Sequence, residues 1–286
     1  IMYGCDEFCT YCIVPYTRGK ERSRSREEII QEVKELAEQG YQEITLLGQN
    51  VNAYGKDFVD SHYTFGDLLR ELDELGINRI RFTTSHPHDL DRNTMEAMRD
   101  AKHIMPFFHL PVQSGSNQVL KRMNRQYTKE SYLKVLDELK KTVPGIAVTT
   151  DIIVGFPGET DEDFLETLDL VEKAQFEGAF TFVFSKREGT PAYKFADDTP
   201  LETKKERLYM LNDRTNDGYL KGNQRFLGET VNVLVDGISK HNESVVSGYS
   251  EHNKLVNFKG DSNLIGKIVK VKITQAKTWF LLGERI

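Results

Sequence analysis

Two periods of apolar residues divide the chain. Up to about residue 227, short apolar runs alternate with stretches whose apolar positions recur at helical spacing, as in Ile29, Ile30, Val33, Leu36 and Ala37. Ser25 is placed to start that helix and Gly40 to stop it. The same reading predicts helices over Phe65 to Leu75, Asp91 to Ala101, Thr128 to Thr142 and Thr160 to Ala174, and a long polar one over Leu201 to Leu227. Between them lie runs that suit buried strands: Glu43 to Gly48, Arg79 to Thr83, Phe107 to Val112, Val148 to Val154 and Ala179 to Phe184. Ile1 to Tyr3 reads as the end of one more. Strands and helices alternating in this way predict a parallel α/β sheet with right-handed crossovers. Six strands make a partial (β/α) barrel, since the closed eight-unit form needs about 250 residues.

Beyond residue 228 the period changes to two. Thr230 to Val235, Ser244 to Tyr249, Lys254 to Phe258, Lys267 to Ile273 and Thr278 to Leu282 alternate apolar and polar residues with turns between them. Five short antiparallel strands predict a small all-β, OB-like barrel, a frequent binder of nucleic acids. The domain organisation expected is therefore 1–227, including the long connecting helix, and 228–286.

All three cysteines of the 286 residues fall in Gly4-Cys5-Asp6-Glu7-Phe8-Cys9-Thr10-Tyr11-Cys12, directly after the first strand. An odd count without a signal-peptide core argues against a disulfide framework. A structural zinc would need a fourth ligand from a distance, such as His86, His88 or His109. A cluster of iron and sulfide takes thiolates as its usual ligands, and three of them on a four-iron cube leave one iron open for reaction.

Parallel sheets place their sites beyond the carboxyl ends of the strands. Here those ends are followed by Gly48-Gln49-Asn50, Thr84-Ser85-His86-Pro87, Gln113-Ser114-Gly115-Ser116, Gly155-Phe156-Pro157-Gly158-Glu159 and Ser185-Lys186-Arg187-Glu188-Gly189. Glycines allow close approach, and Gln, Asn and Ser offer hydrogen bonds without fixed charge. Each segment alone reads equally as a turn. Five on one face of one sheet point to a shared ligand.

The net charge of −6 hides an uneven distribution. Arg18, Lys20, Arg22 and Arg24 form a basic run close to the cysteines, and from Gly228 onward eight basic residues meet six acidic ones. Lys267, Lys270 and Lys272 lie close together in that tail. Both groups read either as solvated surface or as phosphate contacts. No apolar run approaches the length of a membrane span, and free cysteines without a targeting segment lead to a cytoplasmic expectation.

The C-x3-C-x-aromatic-C spacing, with Tyr11 as the aromatic, resembles the signature of radical S-adenosylmethionine (SAM) enzymes. The resemblance implies a 4Fe-4S cluster held by Cys5, Cys9 and Cys12, with SAM on the open iron and Tyr11 beside its adenine. It places Gly48, Gln49 and Asn50 where the family's glycine-glycine-glutamate motif receives the SAM amino group, although Gln and Asn here replace the usual Gly and Glu. Gln113 and Ser114 fall at ribose contacts, and Val154 to Glu159 resembles the family's fifth-strand motif near the adenine. Ser85, Asp151 and Ser185 complete the cofactor-binding set that the resemblance implies. No Ser/His/Asp constellation stands out, so no catalytic residue beyond the cluster ligands is expected.

Longer wording narrows the resemblance. Tyr11-Cys12-Ile13-Val14-Pro15-Tyr16-Thr17-Arg18-Gly19, Leu47-Gly48-Gln49-Asn50-Val51-Asn52-Ala53-Tyr54-Gly55 and His109-Leu110-Pro111-Val112-Gln113-Ser114-Gly115-Ser116 are similar to the radical SAM methylthiotransferase family over nearly the whole chain. The branch resembled adds a methylthio group at C2 of N6-isopentenyladenosine 37 in tRNA, and the terminal barrel resembles its RNA-binding TRAM domain. This implies a tRNA anticodon loop as partner, with the basic run and the three lysines on its phosphates, and an electron donor such as flavodoxin or ferredoxin. The sulfur source stays open. The related branch acting on ribosomal protein uS12 remains the alternative, and a zinc-stabilised RNA-binding module without catalysis the alternative of another class. Family members carry an amino-terminal domain with three further cysteines and a second cluster. This sequence holds no cysteines to spare, so the expectation is a chain that binds one cluster and cleaves SAM without methylthiolating.

Overall fold

The computed structural model describes residues 1–59, 62–239 and 242–286. Strand β1 (Met2–Tyr3) leads into the cysteine loop, which is followed by α1 (Val14–Arg18) and β2 (Arg22–Ser23). The alternation then runs α2 (Arg26–Glu38), β3 (Glu43–Leu46), α3 (Phe65–Asp73), β4 (Arg79–Phe82), α4 (Arg92–Asp100) and β5 (Phe107–His109). It continues with α5 (Asn117–Arg122), α6 (Lys129–Thr142), β6 (Ala147–Val154), α7 (Asp161–Ala174), β7 (Gly178–Val183) and α8 (Leu201–Gln224). Five of the helices start where a side chain satisfies the first free amides: Ser25 accepts from Glu28 N, Asp91 from Thr94 N, and Thr64, Thr128 and Thr160 form capping boxes, whereas α8 follows Pro200 without a side-chain cap.

Strands β3 and β4 pair in parallel, as do β5, β6 and β7, and the two groups join through Ile80 and Ile104. The arc is an open parallel barrel with its helices outside. Leu68, Leu72, Leu136, Leu139 and Leu170 pack there on Ile80, Phe108, Val148 and Ile152. The first strand differs from expectation in its pairing. It lies beside β3, where the Ile1 ammonium donates to Leu47 O at 2.8 Å, but its ladder is antiparallel to β2, Met2 opposite Ser23. The cysteine loop folds back so tightly that Arg22–Ser23 take the edge: Gly4 sits at φ +74°, and a Cβ there would lie 2.0 Å from Lys20 O.

Strands β8 (Thr230–Ser239), β9 (Asn242–Ser250), β10 (Leu255–Lys259), β11 (Ile268–Ala276) and β12 (Leu281–Arg285) close a barrel in the order β10-β12-β11-β8-β9. Four neighbouring pairs are antiparallel, but β10 and β12 run parallel. An odd number of strands cannot alternate direction all the way around a closed ring, so the all-antiparallel expectation fails at one seam. Its core is Val231, Val233, Val235, Val246, Val256, Phe258, Val271, Ile273 and Leu281.

The small barrel seats on the amino-terminal end of the parallel sheet. Buried Arg79 donates to Tyr249 O at 2.8 Å and Asn232 O at 2.6 Å, and Arg81 to Ser250 O at 2.7 Å and Glu251 O at 3.1 Å. Among the described residues no helix is long and apolar enough to cross a membrane.

Candidate radical SAM site at the cysteine loop

The cysteine loop is fastened to two other loops. Thr10 donates from its amide to Met123 O (3.0 Å) and from Oγ1 to Arg122 O (2.9 Å), while its carbonyl accepts from Ala192 N (2.8 Å). Asn124, in the left-handed region at φ 58°, donates to Phe8 O (3.0 Å) and Glu7 O (3.3 Å). Cys5 N reaches Gly19 O (3.2 Å) and Cys12 N reaches Cys9 O (3.0 Å). The three thiols are free, and Cys9 is buried.

Arg125 holds the centre. Its guanidinium donates to Cys9 Sγ (3.3 Å), Pro111 O (3.2 Å) and the Tyr127 hydroxyl (2.8 Å). Burial pushes the Cys5 thiol up to about 12, with the charges of Glu21 and Glu7 adding to it, and burial raises Cys12 too. Buried thiols of this kind ionise when a cation binds them.

The donor set fits a cluster rather than a single ion. A tetrahedral zinc with bonds of about 2.3 Å would hold its sulfurs roughly 3.8 Å apart. Among the described residues the donors gathered within 4.8 Å of one another are Glu7, His86, His88 and Asp89, and the three thiols form no such group. His86 and His88 therefore stand with carboxylates, and His109 Nε2 lies 3.4 Å from Asp151 Oδ1, rather than completing a zinc site with sulfur. Lys56 already pairs with Asp89 in the carboxylate group.

Next to the thiols the loops after β3 and β4 carry unsatisfied polar atoms. Asn50 Oδ1, both amide atoms of Asn52 and Ser85 Oγ are buried without a hydrogen-bond partner. His86 Nε2 lies 3.4 Å from Glu7 Oε2, which places these loops against the cysteine loop. Native interiors rarely leave such groups unmatched, and several in one place suit a polar ligand. Backbone strain gathers here as well: Phe8, Thr84, Gln113 and Asn124 are four of the six non-glycine residues with positive φ among the described residues.

The other residues singled out by sequence separate into groups. Gln49 is half-buried beside Asn50, and Asn50 donates to Asp89. Gly48 packs against Met2, whose Cγ a Cβ there would meet at 2.7 Å. Tyr11 meets Phe156 edge to face at 6.4 Å. Gln113 (φ 68°) bridges to β6 through Asp151 O and Ile153 N. Ser114 is fully buried against Thr167 Oγ1, and Glu159 is buried on Gly155 N and Arg207, so both act on the protein itself. Gly155 presses on Lys204, Asp151 lies mid-strand beside His109, and Ser185 is exposed past the end of β7. Arg18, Lys20 and Arg22 are exposed, whereas Arg24 is paired with Glu32 at 2.7 Å. Lys270 and Lys272 share the outer face of β11, and exposed Lys267 precedes that strand.

Sequence reasoning missed Arg125, Asn124, Lys56 and Asp89. None lies in a periodic run, and the one local signal is Asn124, a residue type that tolerates positive φ. It also missed α5, whose six residues are too few to show a period.

The profile of the Radical SAM superfamily matches residues 1–171 and that of the TRAM domain residues 224–286. The chain is 58% identical to the tRNA-2-methylthio-N(6)-dimethylallyladenosine synthase of Anoxybacillus flavithermus (strain DSM 21510 / WK1), over 100% of this chain and 54% of that protein. It is 57% identical to the enzyme of that name from Bacillus subtilis (strain 168), over 100% and 56%. The chain thus spans about half the length of the curated relatives it matches. Among solved structures it is similar in fold to the radical S-adenosylmethionine methyltransferase TsrM from Kitasatospora setae (TM-score 0.56, 18% identity, 67% of this chain and 37% of that one). Coproporphyrinogen III oxidase HemN from Escherichia coli is similar over 94% of this chain and 64% of its own (TM-score 0.52, 12% identity). With more than half its length matched by that profile, and with its three thiols at the mouth of an open parallel barrel, the chain belongs to the radical SAM superfamily.

Proposed function

We propose that this chain is the radical-generating and RNA-binding part of a tRNA methylthiotransferase that modifies C2 of N6-dimethylallyladenosine 37. The observation that carries the reading is the cysteine loop itself: three thiols, of which Cys9 accepts from Arg125, flanked by unmatched polar atoms of Asn50, Asn52 and Ser85. Whole-chain similarity to relatives bearing that activity in their names supports the choice of substrate.

Cys5, Cys9 and Cys12 would hold a 4Fe-4S cluster. Bound with SAM, the cluster supplies a carbon-centred radical able to remove a hydrogen that no acid or base can take. This chain's residues do the positioning. Arg125 compensates thiolate charge at Cys9, Gln49 and Asn50 receive the polar end of SAM, and Tyr11, braced by Phe156, borders its adenine. Arg18, Lys20 and Arg22, with Lys267, Lys270 and Lys272 on the small barrel, take RNA phosphates. A reduced flavodoxin or ferredoxin of the cytoplasm is the electron donor. The sulfur to be transferred must come from elsewhere, because all three cysteines are committed.

Anaerobic reconstitution with iron and sulfide tests this. The expected product is brown, holds about four irons per chain and, with SAM and a strong reductant, releases 5′-deoxyadenosine without methylthiolating an anticodon loop. Replacing Cys9 by Ala abolishes colour and cleavage. A colourless protein with one zinc would refute the radical reading, and methylthiolated product from this chain alone would refute the division of labour.

A further inference from the structure

The concave wall of the open barrel carries two exposed phenylalanines. Phe180 is 58% exposed and Phe182 51%, although both lie in the middle of a strand. Thr181, between them on β7, faces outward to α8, where its Oγ1 donates to Asn212 Oδ1. Side chains alternate along a strand, so Phe180 and Phe182 face the inside of the arc. Register places Asp151 beside Phe180 and Ile153 beside Phe182 on the same face. His109, paired with Thr149 across β5 and β6, completes the wall with its ring centroid 5.9 Å from that of Phe180.

This wall combines a flat apolar surface with two polar groups of incomplete pairing. His109 Nε2 and Asp151 Oδ1 are 3.4 Å apart, beyond a good hydrogen bond, so both keep capacity for a ligand. Below, the groove opens into a cavity of about 240 Å³ whose lining includes Phe107, Thr149, Phe180, Tyr219 and Trp279, where the small barrel meets the large one. The unmatched atoms ascribed to SAM lie elsewhere, on the loops after β3 and β4. The arc therefore offers two regions, one polar beside the thiols and one aromatic on β5, β6 and β7.

We propose that Phe180, Phe182, His109 and Asp151 form the pocket for the reacting base, an adenine whose N6 carries an apolar branched substituent. Such a base keeps one N6–H donor for Asp151 and ring-nitrogen acceptors for His109, while the phenylalanines take its π face and its hydrocarbon. Asp151 is thereby assigned to the substrate rather than to SAM. This assignment rests on the tRNA methylthiotransferase reading of the chain.

The test uses the full chain with its cluster reconstituted, and two anticodon-loop oligonucleotides that differ only in N6-dimethylallyladenosine or adenosine at the central purine. Fluorescence anisotropy should give the wild type a preference of about tenfold or more for the prenylated loop, the scale expected for a few buried carbons. Phe180→Ala/Phe182→Ala should bring the ratio to within about twofold of one at an unchanged melting temperature, since both rings are more than half exposed. Should the double variant melt early, the two single variants decide the same question, each being expected to lower the ratio. Asp151→Asn should weaken the prenylated loop. A double variant that keeps the wild-type ratio, or a wild type that binds both loops equally, would overturn the pocket. A wild type that binds neither loop would instead overturn the RNA reading itself.

Discussion

At the scale of single residues, the side chain that most shapes the cysteine loop is Arg125. A guanidinium has five donors in a fixed fork, and here, half-buried, the fork spans a thiol, a carbonyl and a phenol. Donors and positive charge at a ligating sulfur raise the potential of an iron–sulfur cluster. Arg125→Ala should therefore lower iron retention and shift the cluster's potential negative, on the order of tens of millivolts in a redox titration followed by electron paramagnetic resonance. Arg125→Lys should recover part of the shift by charge but not the iron retention, since a point charge cannot serve three acceptors. Equal iron content and equal potential in all three proteins would show that the 3.3 Å contact is incidental. Nothing in the pattern of the sequence announces this residue. It follows a six-residue helix, and its role comes from the turn at Asn124 that brings it under Cys9.

At the scale of elements, what was legible followed from local rules, and what was not followed from closure. Ser25, Asp91, Thr128 and Thr160 could be read as helix starts because each precedes a periodic run and caps it with its own oxygen. The strand-end loops could be read as the site because a parallel sheet leaves nowhere else for one. Pairing at the edges was not legible: the antiparallel β1–β2 ladder and the parallel β10–β12 seam depend on how distant segments meet. Nor does sequence tell a loop that binds from one that braces. Glu159 and Asn50 look alike as polar residues after strands, yet Glu159 is held by Arg207 Nη1 at 2.8 Å while Asn50 Oδ1 is unmatched. Their variants should diverge accordingly. Glu159→Ala leaves the buried Arg207 guanidinium with Asp161 as its carboxylate partner (2.7 Å) and should cost about 1.5–3 kcal/mol of stability, the value of a hydrogen bond to a charged group, with SAM affinity unchanged in the protein that still folds. Asn50→Ala and Gln49→Ala should leave iron content alone and weaken SAM binding by about tenfold, the value of one or two hydrogen bonds to a charged ligand. Melting curves and SAM titrations on the three variants decide it, and a matching loss of SAM affinity in Glu159→Ala would return that residue to the site.

At the scale of the whole molecule, the two barrels are joined by charge as much as by apolar contact. Arg79 and Arg81 cap carbonyls of the small barrel, and Lys254 pairs with Glu177 at 2.9 Å, which Arg225 also meets at 2.9 Å. His252 sits in this basic junction with its ring 4.9 Å from that of Phe226. Burial, then the cations of Arg225, Lys254 and Arg81, hold its pKa down at about 4, against 6.5 for a free histidine. The unfolded chain takes up a proton there below pH 6.5 while the folded chain does not until about pH 4, so the unfolded state binds more protons throughout that window. Stability from the neutral imidazole is thus complete above pH 6.5 and falls as the pH drops toward 4, by about 3 kcal/mol at most. Other groups titrate over the same range, so the measurement is a difference between two proteins. Urea unfolding of the wild type and His252→Gln at about pH 7.5 and about pH 4.5 should show the wild type losing about 2–3 kcal/mol more than the variant on acidification. An identical loss in both would mean that the histidine is reached by water and that the junction is looser than its hydrogen bonds imply.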